Sequence, residues 1–453
     1  MSRYILVGNY NSHMPTSKQK GDIIEVSVPL VTEKGSLLRD IDRTLDELKR
    51  NGIYPSETGF DILCLASLVY LADTRISRQL HSQNSWTREI EIILPVHNLE
   101  LWSELGELFS KMLNFLTGDL WTISFSQRDK ELAESNENRQ SYDAVSLFSG
   151  GMDSLISTIN HLEHNHSVAL LSHAGDGYTK SAQQKLLTEF HAMYPDNKPN
   201  YFNLWMVFDK DILPNSGIEN TTRSRSFLFI AFGLFALSGM KSVKVLQVPE
   251  NGLIALNVPL DDLRIGSHST RTTHPFYISL WNAVTEKLGL PFSVENPYWN
   301  RTKGEMAAEC LNKQFLLQVI KESTSCSSPQ KARWKKQPSQ HCGYCVPCLI
   351  RRAAMHKAYG FQNDTTAYSV NSIVEIINAH AKKKGEQLRS FQVAIKRITD
   401  KPELRKILVH KSGRLDGDAE YIDQLSEVYY RGLVEVGSFI DAYLAAEAVD
   451  SAK

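Results

Sequence analysis

Six consecutive residues have the composition of a turn that binds phosphate. They are Ser149, Gly150, Gly151, Met152, Asp153 and Ser154. Two adjacent glycines let the backbone turn sharply and approach a ligand closely, and amide N–H groups at the start of a following helix favour an anion. The serines add hydroxyl donors, and Asp153 can hold Mg²⁺. No lysine follows the glycines, so this is not a G-x-x-x-x-G-K-[ST] loop. The alternative is a plain glycine-rich turn with a helix cap.

Four of the six cysteines form a second group, with the spacing of a metal site. They are Cys326, Cys342, Cys345 and Cys348. Four thiolates make a complete tetrahedral set for Zn²⁺, and such a closed set is structural rather than catalytic. An iron–sulfur cluster is the alternative, because three cysteines at C-x-x-C-x-x-C spacing also suit one. In a cytosolic chain this grouping predicts a metal site rather than disulfides.

Two further candidates lie in polar segments that follow apolar runs. His173 begins the segment 173–178, directly after a run with the composition of a buried strand. Arg271 belongs to a stretch rich in hydroxyl groups, residues 264–275, which contains little that could pack in a core. Its guanidinium could pair with a phosphate or a carboxylate in bidentate fashion. The alternative for this stretch is a solvated loop.

Lys303 opens a predicted helix and has both a structural and a chemical interpretation. Thr302 and Glu305 have the spacing of a capping box, which explains their presence at a helix start. The capping box does not require Lys303. A lysine at this place could add positive charge against phosphates.

Alternating strands and helices in residues 141–360 would position these candidates. This alternation predicts an α/β fold, with a parallel sheet and helices on both of its faces. Short apolar runs predict its strands at residues 144–148, 167–171, 201–208 and 243–248. Ligands bind at the carboxyl ends of the strands in such sheets. Both the glycine-containing turn and the segment after the second strand lie at such ends.

The remainder of the 453-residue chain consists of two additions. Residues 1–140 predict an α+β accessory domain that ends in a polar linker, residues 128–140, and residues 361–453 predict a helical region. No signal peptide is recognisable, and no apolar run is long enough to span a bilayer. We therefore expect a cytoplasmic protein without membrane contact. A net charge of −1 argues against a global polycation for nucleic acid, although a basic run at residues 331–336 leaves local contact open.

The Ser-Gly-Gly-Met-Asp-Ser string resembles the PP-loop of ATP pyrophosphatases, which cleave ATP between its α- and β-phosphates. A second pattern, Cys…C-G-x-C-x-x-C-x-x-R, consists of Cys326, Cys342, Gly343, Cys345, Cys348 and Arg351. With Thr302-Lys303 ahead of it, residues 141–360 resemble the 7-cyano-7-deazaguanine synthases, the QueC family. The layout with two additions is similar to the QueC-like proteins of bacterial anti-phage systems such as the Qat system.

The resemblance implies a PP-loop fold of the adenine nucleotide alpha-hydrolase type, with ATP, Mg²⁺ and Zn²⁺ as cofactors. It implies adenylation of 7-carboxy-7-deazaguanine with release of pyrophosphate, attack by ammonia, and a second ATP-dependent step to the nitrile. Lys303 would neutralise the departing pyrophosphate, while the glycine-containing turn would hold phosphates and Mg²⁺. Arg225 lies where the family carries an arginine that contacts the nucleotide, but that match is loose. The segment that begins at His173 departs from the family string.

The acceptor and the partners remain open at this stage. An amine of a partner protein from the same defence operon could replace ammonia, and an assembly of several copies of the chain is also open. A tRNA-thiolating PP-loop enzyme is one alternative, but it should need a catalytic cysteine or an iron–sulfur cluster. A QueC-derived scaffold that binds nucleotide without turnover is the other.

Overall fold

The computed structural model is an α/β structure with two five-stranded sheets. It describes residues 2–10, 16–31, 39–82, 84–219, 221–261, 271–336, 338–360, 363–379 and 383–451. Residues 264–270 of the hydroxyl-rich stretch, and parts of other segments named above, lie outside this description. Of the described helices, none is both long and apolar enough to cross a membrane.

The N-terminal part of the chain contains the first sheet and the helices that cover it. Its elements are β1 (Arg3–Asn9), β2 (Thr16–Lys20), β3 (Ile23–Pro29), α1 (Arg39–Arg50), α2 (Glu57–Arg75), α3 (Arg78–His81), β4 (Glu89–Val96), α4 (Leu99–Trp102), α5 (Gly106–Thr117) and β5 (Leu120–Gln127). The strand order is β2-β3-β1-β4-β5, and every pairing except that of the β2–β3 hairpin is parallel. The arrangement is therefore closer to α/β than to the expected α+β pattern.

The central part contains the second sheet. Its elements are β6 (Ala144–Leu147), α6 (Met152–Glu163), β7 (Val168–His173), α7 (Gly177–Met193), β8 (Asn200–Leu204), α8 (Arg225–Ser238), β9 (Val245–Gln247), α9 (Gly252–Leu256), α10 (Pro275–Lys287), β10 (Ser293–Glu295), α11 (Lys303–Ala308), α12 (Lys313–Val319) and α13 (Val346–Tyr359). The four predicted strands are present, although β8 is shorter than its apolar run, and β10 is an additional edge strand.

All pairings in the second sheet are parallel, in the order β10-β9-β6-β7-β8. Every residue of β6 and β7 is buried, as expected for central strands covered by helices on both faces. The chain order reverses between β6 and β9, which lie side by side. The crevice outside their carboxyl ends is where ligands bind in open sheets of this kind.

The C-terminal part is helical, as predicted. Its helices are α14 (Ile373–Asn378), α15 (Lys383–Asp400), α16 (Arg405–Leu408) and α17 (Ala419–Ser451). Short 3₁₀ segments also connect elements along the chain, at Ser103–Leu105, Ile320–Glu322, Pro329–Lys335, Pro402–Leu404 and Val409–Ser412. α17 packs against α9 and α13 of the central part, and their side chains share one apolar cluster.

The N-terminal and central parts also share a hydrophobic core. α2 is buried around its whole circumference and packs closely against α8. A Cβ on Gly59 would lie 2.3 Å from Ser238 Oγ, so glycine permits this close approach. The segment predicted as a linker is also anchored, because Arg128 forms a buried ion pair with Asp61 at 2.8 Å.

Candidate functional site

The glycine-containing turn lies between β6 and α6, at the carboxyl end of the central strand. Gly150 has φ +79°, a conformation that residues with a Cβ rarely adopt. A Cβ on Gly151 would lie 3.2 Å from Ser149 Oγ and 3.3 Å from the carbonyl oxygen of Thr324. The predicted strand–turn–helix placement is confirmed, and the positive φ of Gly150 and the close contacts of Gly151 favour glycine at these two positions.

Hydrogen bonds hold this turn from both sides. The amide of Gly151 donates to Ser149 Oγ at 3.2 Å, and the hydroxyl oxygens of Ser149 and Ser154 are 3.3 Å apart. The amide of Thr324, from the segment that leads to the cysteines, donates to the carbonyl of Gly150 at 2.8 Å. The shape of the turn is therefore fixed by contacts within it and by a segment distant in sequence.

Asp153 and Lys303 form a buried ion pair beside the turn. Asp153 Oδ1 lies 3.0 Å from Lys303 Nζ, and each side chain is 7% exposed. The other carboxylate oxygen accepts hydrogen bonds from the backbone amide and the side-chain amide of Asn251, at 3.2 and 2.8 Å. Asn251 follows β9, so the two central strands bring these groups together. One carboxylate is thus held by an ammonium and two amide donors.

Lys303 is the first residue of α11, and the predicted capping box is present. Thr302 accepts a hydrogen bond from the amide of Glu305, and the Glu305 side chain accepts one from the amide of Thr302. A carboxylate from α17 adds to this cap: Glu435 accepts from the Thr302 hydroxyl at 2.6 Å and from the Gly304 amide at 2.9 Å. Glu435 was not among the predicted site residues, because no motif around it in the sequence distinguishes it from the other charged residues of its helix.

Glu250 is a second carboxylate at the same sheet edge, and it was not among the predicted site residues. Its Oε2 atom accepts from the hydroxyls of Thr272 and Thr273 at 3.1 and 3.2 Å. Burial, followed by the charge of Asp153, raises the pKa of Glu250 to about 7, while Lys303 acts in the opposite direction. The sequence feature that could have identified Glu250 is its position in the run Pro-Glu-Asn-Gly, directly after a predicted strand.

Three arginines line the same space, and within the described residues none of them forms an ion pair with a carboxylate. Arg271 donates to the carbonyl of Phe115 at 2.8 Å, stacks over that ring, and has an unpartnered Nε atom. Arg225 donates to the carbonyl of His173 at 3.1 Å. Arg223 donates to the carbonyl of Thr117, at the end of α5. Neutral partners leave their charges free to meet an anion.

His173 is placed differently from the other predicted site residues. It is fully buried at the end of β7, and neither ring nitrogen has a hydrogen-bond partner among the described residues. Burial, with the charge of Arg225, lowers its pKa to about 3. The ring is therefore neutral at ordinary pH, and its contact with Arg225 is through the backbone carbonyl.

A cavity of about 1030 Å³ lies between the glycine-containing turn, the ion pair, Glu250 and the three arginines. Its walls include Ser149, Gly151, Asp153, Arg223, Arg225, Glu250, Arg271, Lys303 and Cys326. Among the described residues, Gly150, Ser154 and His173 do not reach this wall. Apolar side chains of α9 and α15 line another side of the cavity. Leu116 of α5 also lies on the wall, so all three parts of the chain contribute to the cavity.

The four predicted cysteines come together as a group that can bind a metal ion. Their Sγ atoms all lie within 4.8 Å of one another, and two of the pairs are 3.9 Å apart. Zinc–sulfur bonds of about 2.3 Å in a tetrahedron place sulfur atoms about 3.8 Å apart. A four-iron cluster spreads its cysteines more widely, because each binds a different iron. The spacing fits one ion and is consistent with zinc.

The surrounding backbone supports the cysteine group. Amides of Ser328 and Cys342 donate to Cys326 Sγ at 3.4 and 3.3 Å. Gly343 has φ +89°, and a Cβ there would lie 2.2 Å from the carbonyl oxygen of Val370. His341, next to the group, accepts a hydrogen bond from the amide of Ser325 at 3.0 Å.

No protein-family model matches the chain, and no curated protein matches it.

Proposed function

We propose that the chain is a QueC-like PP-loop enzyme that uses ATP to activate a carboxylate, releasing pyrophosphate. The observation that carries this proposal is the glycine-containing turn at the reversal of strand order, with the buried Asp153–Lys303 pair beside it on the wall of one cavity. A turn of this kind ahead of a 12-residue helix offers amide donors to phosphate. In the ion pair, the Asp153 carboxylate can bind a cation and the Lys303 ammonium can bind an anion.

The charges around the cavity favour a polyanion with a bound divalent cation. Lys303 and the three arginines are cationic and, apart from Lys303, have no carboxylate partner among the described residues. Asp153 would hold Mg²⁺, which takes one or two carboxylates together with phosphate oxygens. Lys303, released from Asp153, would then neutralise the departing pyrophosphate. Such catalysis requires positioned charge and no covalent nucleophile.

The charges that line the cavity offer a place for a second substrate beside the nucleotide. Cavities for small ligands usually measure about 300–1,000 Å³, and this one, at about 1030 Å³, lies at the upper end of that range. Arg271 is the candidate for the carboxylate, because its Nε atom is unpartnered and its orientation is fixed by Phe115. The resemblance to the QueC family makes 7-carboxy-7-deazaguanine the first substrate to test.

The acceptor follows from the chemistry of an activated carboxylate. An amine nitrogen attacks the carbonyl carbon of the acyl-adenylate, loses a proton, and displaces AMP. Ammonia would give the amide, and a second ATP would activate the amide oxygen so that it leaves with AMP, two protons are lost and the nitrile forms. An amine of a partner protein would instead give a stable conjugate. We propose a role in anti-phage defence on the similarity of layout, with partners encoded in the same operon.

The placement of the cysteines argues against tRNA thiolation. Cys64 and Cys310 are buried away from the cavity, and the remaining four form the metal-binding group. Cys326 alone reaches the cavity wall, and it belongs to that group. No cysteine is therefore left to carry sulfur as a catalytic thiol.

Pyrophosphate release from ATP tests the proposal. We expect release that requires 7-carboxy-7-deazaguanine and that is lost in Asp153→Ala. Asp143→Ala is the matched control. Asp143 is an exposed carboxylate immediately before β6, the strand that leads to the glycine-containing turn, and among the described residues its side chain forms hydrogen bonds only with Ser167. Intact masses of operon partners then identify the acceptor. No release under any condition would overturn the enzyme assignment and favour the nucleotide-binding scaffold.

A further inference from the structure

Glu435 of α17 is a buried carboxylate that contacts the chain on both sides of Lys303. It is 6% exposed. Its two oxygens accept from the Thr302 hydroxyl at 2.6 Å and from the Gly304 amide at 2.9 Å. These two residues immediately precede and follow Lys303, so one side chain fixes the backbone from which the lysine extends.

Gly304 is required for this contact. A Cβ at this position would lie 2.5 Å from one Glu435 oxygen and 2.6 Å from its carboxyl carbon. Any larger residue would push the carboxylate away from the amide of residue 304. The sequence Thr-Lys-Gly is thus shaped to receive a carboxylate from another part of the chain.

Neighbouring ion pairs hold α17 in place beside α11. Lys357 Nζ lies 3.3 Å from Glu435 Oε2, and Arg431 Nε lies 2.7 Å from Glu305 Oε1. Arg431 also donates to the carbonyl of Asn300 at 2.8 Å. α17 therefore contacts the chain at Asn300, at the residues on either side of Lys303, and at Glu305.

We infer that the C-terminal helical region is part of the nucleotide site, with Glu435 as a positioning residue that holds Lys303 at Asp153. The inference assigns a role to an addition that the QueC resemblance does not cover. Its kinetic consequence rests on the proposed function, whereas the placement of the lysine side chain can be measured without any turnover.

Glu435→Gln is the variant of choice because it keeps the size of the side chain. The amide is neutral, and when its oxygen accepts from the Gly304 amide its NH2 group faces the Thr302 hydroxyl, so the charge-assisted hydrogen bond from that hydroxyl is lost. A hydrogen bond to a charged group is typically worth about ten- to a hundredfold in an equilibrium or rate. We expect kcat for pyrophosphate release to fall about tenfold or more, with little change in KM for ATP. Glu427→Gln is the matched control, because Glu427 lies on the same helix but pairs at the surface with Arg405.

A double-variant cycle separates positioning from general loss of structure. If Glu435 acts through Lys303, Glu435→Gln should have almost no further effect on kcat in a Lys303→Ala background. Equal fold-losses in the two backgrounds would overturn the inference and leave Glu435 a structural residue.

Chemical labelling of Lys303 provides the second measurement. An amine-reactive acetylating reagent, followed by peptide mass spectrometry, reports how accessible the Lys303 ammonium is. We expect labelling at Lys303 to become several-fold faster in Glu435→Gln and to remain unchanged in Glu427→Gln. Unchanged labelling in both variants would overturn the inference. Faster labelling without pyrophosphate release in any variant would instead retain the inference and reject the proposed function.

Discussion

The Asp153–Lys303 ion pair yields the sharpest prediction about the unliganded protein. Removing one partner of a buried pair costs about 3–5 kcal/mol, because a charge remains buried without compensation. In Lys303→Met the abandoned Asp153 carboxylate still has its two amide donors from Asn251. The cost should therefore lie at the lower end, about 3 kcal/mol. With a slope of about 3 kcal/mol per M in urea, the unfolding midpoint would fall by about 1 M.

Urea denaturation followed by tryptophan fluorescence would measure this cost. Lys287→Met is the matched control: Lys287 pairs with Glu104 at 3.3 Å on the surface, where 50% and 82% of the two side chains are exposed. That pair should be worth about 0–1 kcal/mol. The combined Asp153→Asn and Lys303→Met variant should recover much of the loss, because neither charge remains. A combined loss equal to the sum of the two single losses would refute the buried pair.

Three further predictions concern the metal, the histidines and a glycine. One zinc ion per chain is expected by elemental analysis, and Cys348→Ser should lose it; several iron atoms with inorganic sulfide per chain would contradict the single-ion geometry. Burial lowers the pKa of His173 and of His274 to about 3. Between about pH 6.5 and 3 each of these histidines is therefore neutral in the folded protein and protonated in the unfolded chain. The free energy of unfolding should fall as pH falls through this window, by up to about 1.4 kcal/mol per pH unit for each histidine. His173→Asn should flatten the pH dependence of the melting temperature, and an unchanged profile would contradict this. Gly343→Ala should reduce zinc retention in a chelator competition, because its Cβ would meet the carbonyl of residue 370 at 2.2 Å; retention equal to that of the wild type would show that the turn tolerates a side chain.

Local patterns were enough to predict the two chemical groups of the chain. The glycine-containing turn lies between a strand and a helix because an apolar run precedes it and a helical pattern follows it. The cysteine group forms because its C-x-x-C-x-x-C run is contiguous and the fourth member is 16 residues away. In each case the residues that act together are near one another in sequence.

Contacts between residues that are far apart in the sequence could not be predicted from local patterns. Asn251 reaches Asp153 across 98 residues, and Glu435 reaches Thr302 across 133. Neither pair has a spacing that a helix or a strand would impose. The orientation of Arg271 depends on the carbonyl and ring of Phe115, 156 residues earlier in the chain. These partners became visible only once the three parts of the chain were packed together.

The distance in sequence between the glycine-containing turn and Glu435 has a consequence for protein synthesis. Residues are made from the N-terminus, and domains generally fold as they emerge. The second sheet can form once β10 has been made, but Thr302 and the Gly304 amide lack their carboxylate partner until α17 is complete. A nascent chain therefore carries Lys303 on an unanchored backbone. The site reaches its final geometry only after α17 has been made, so nascent chains that stop before this helix lack the complete arrangement of charges.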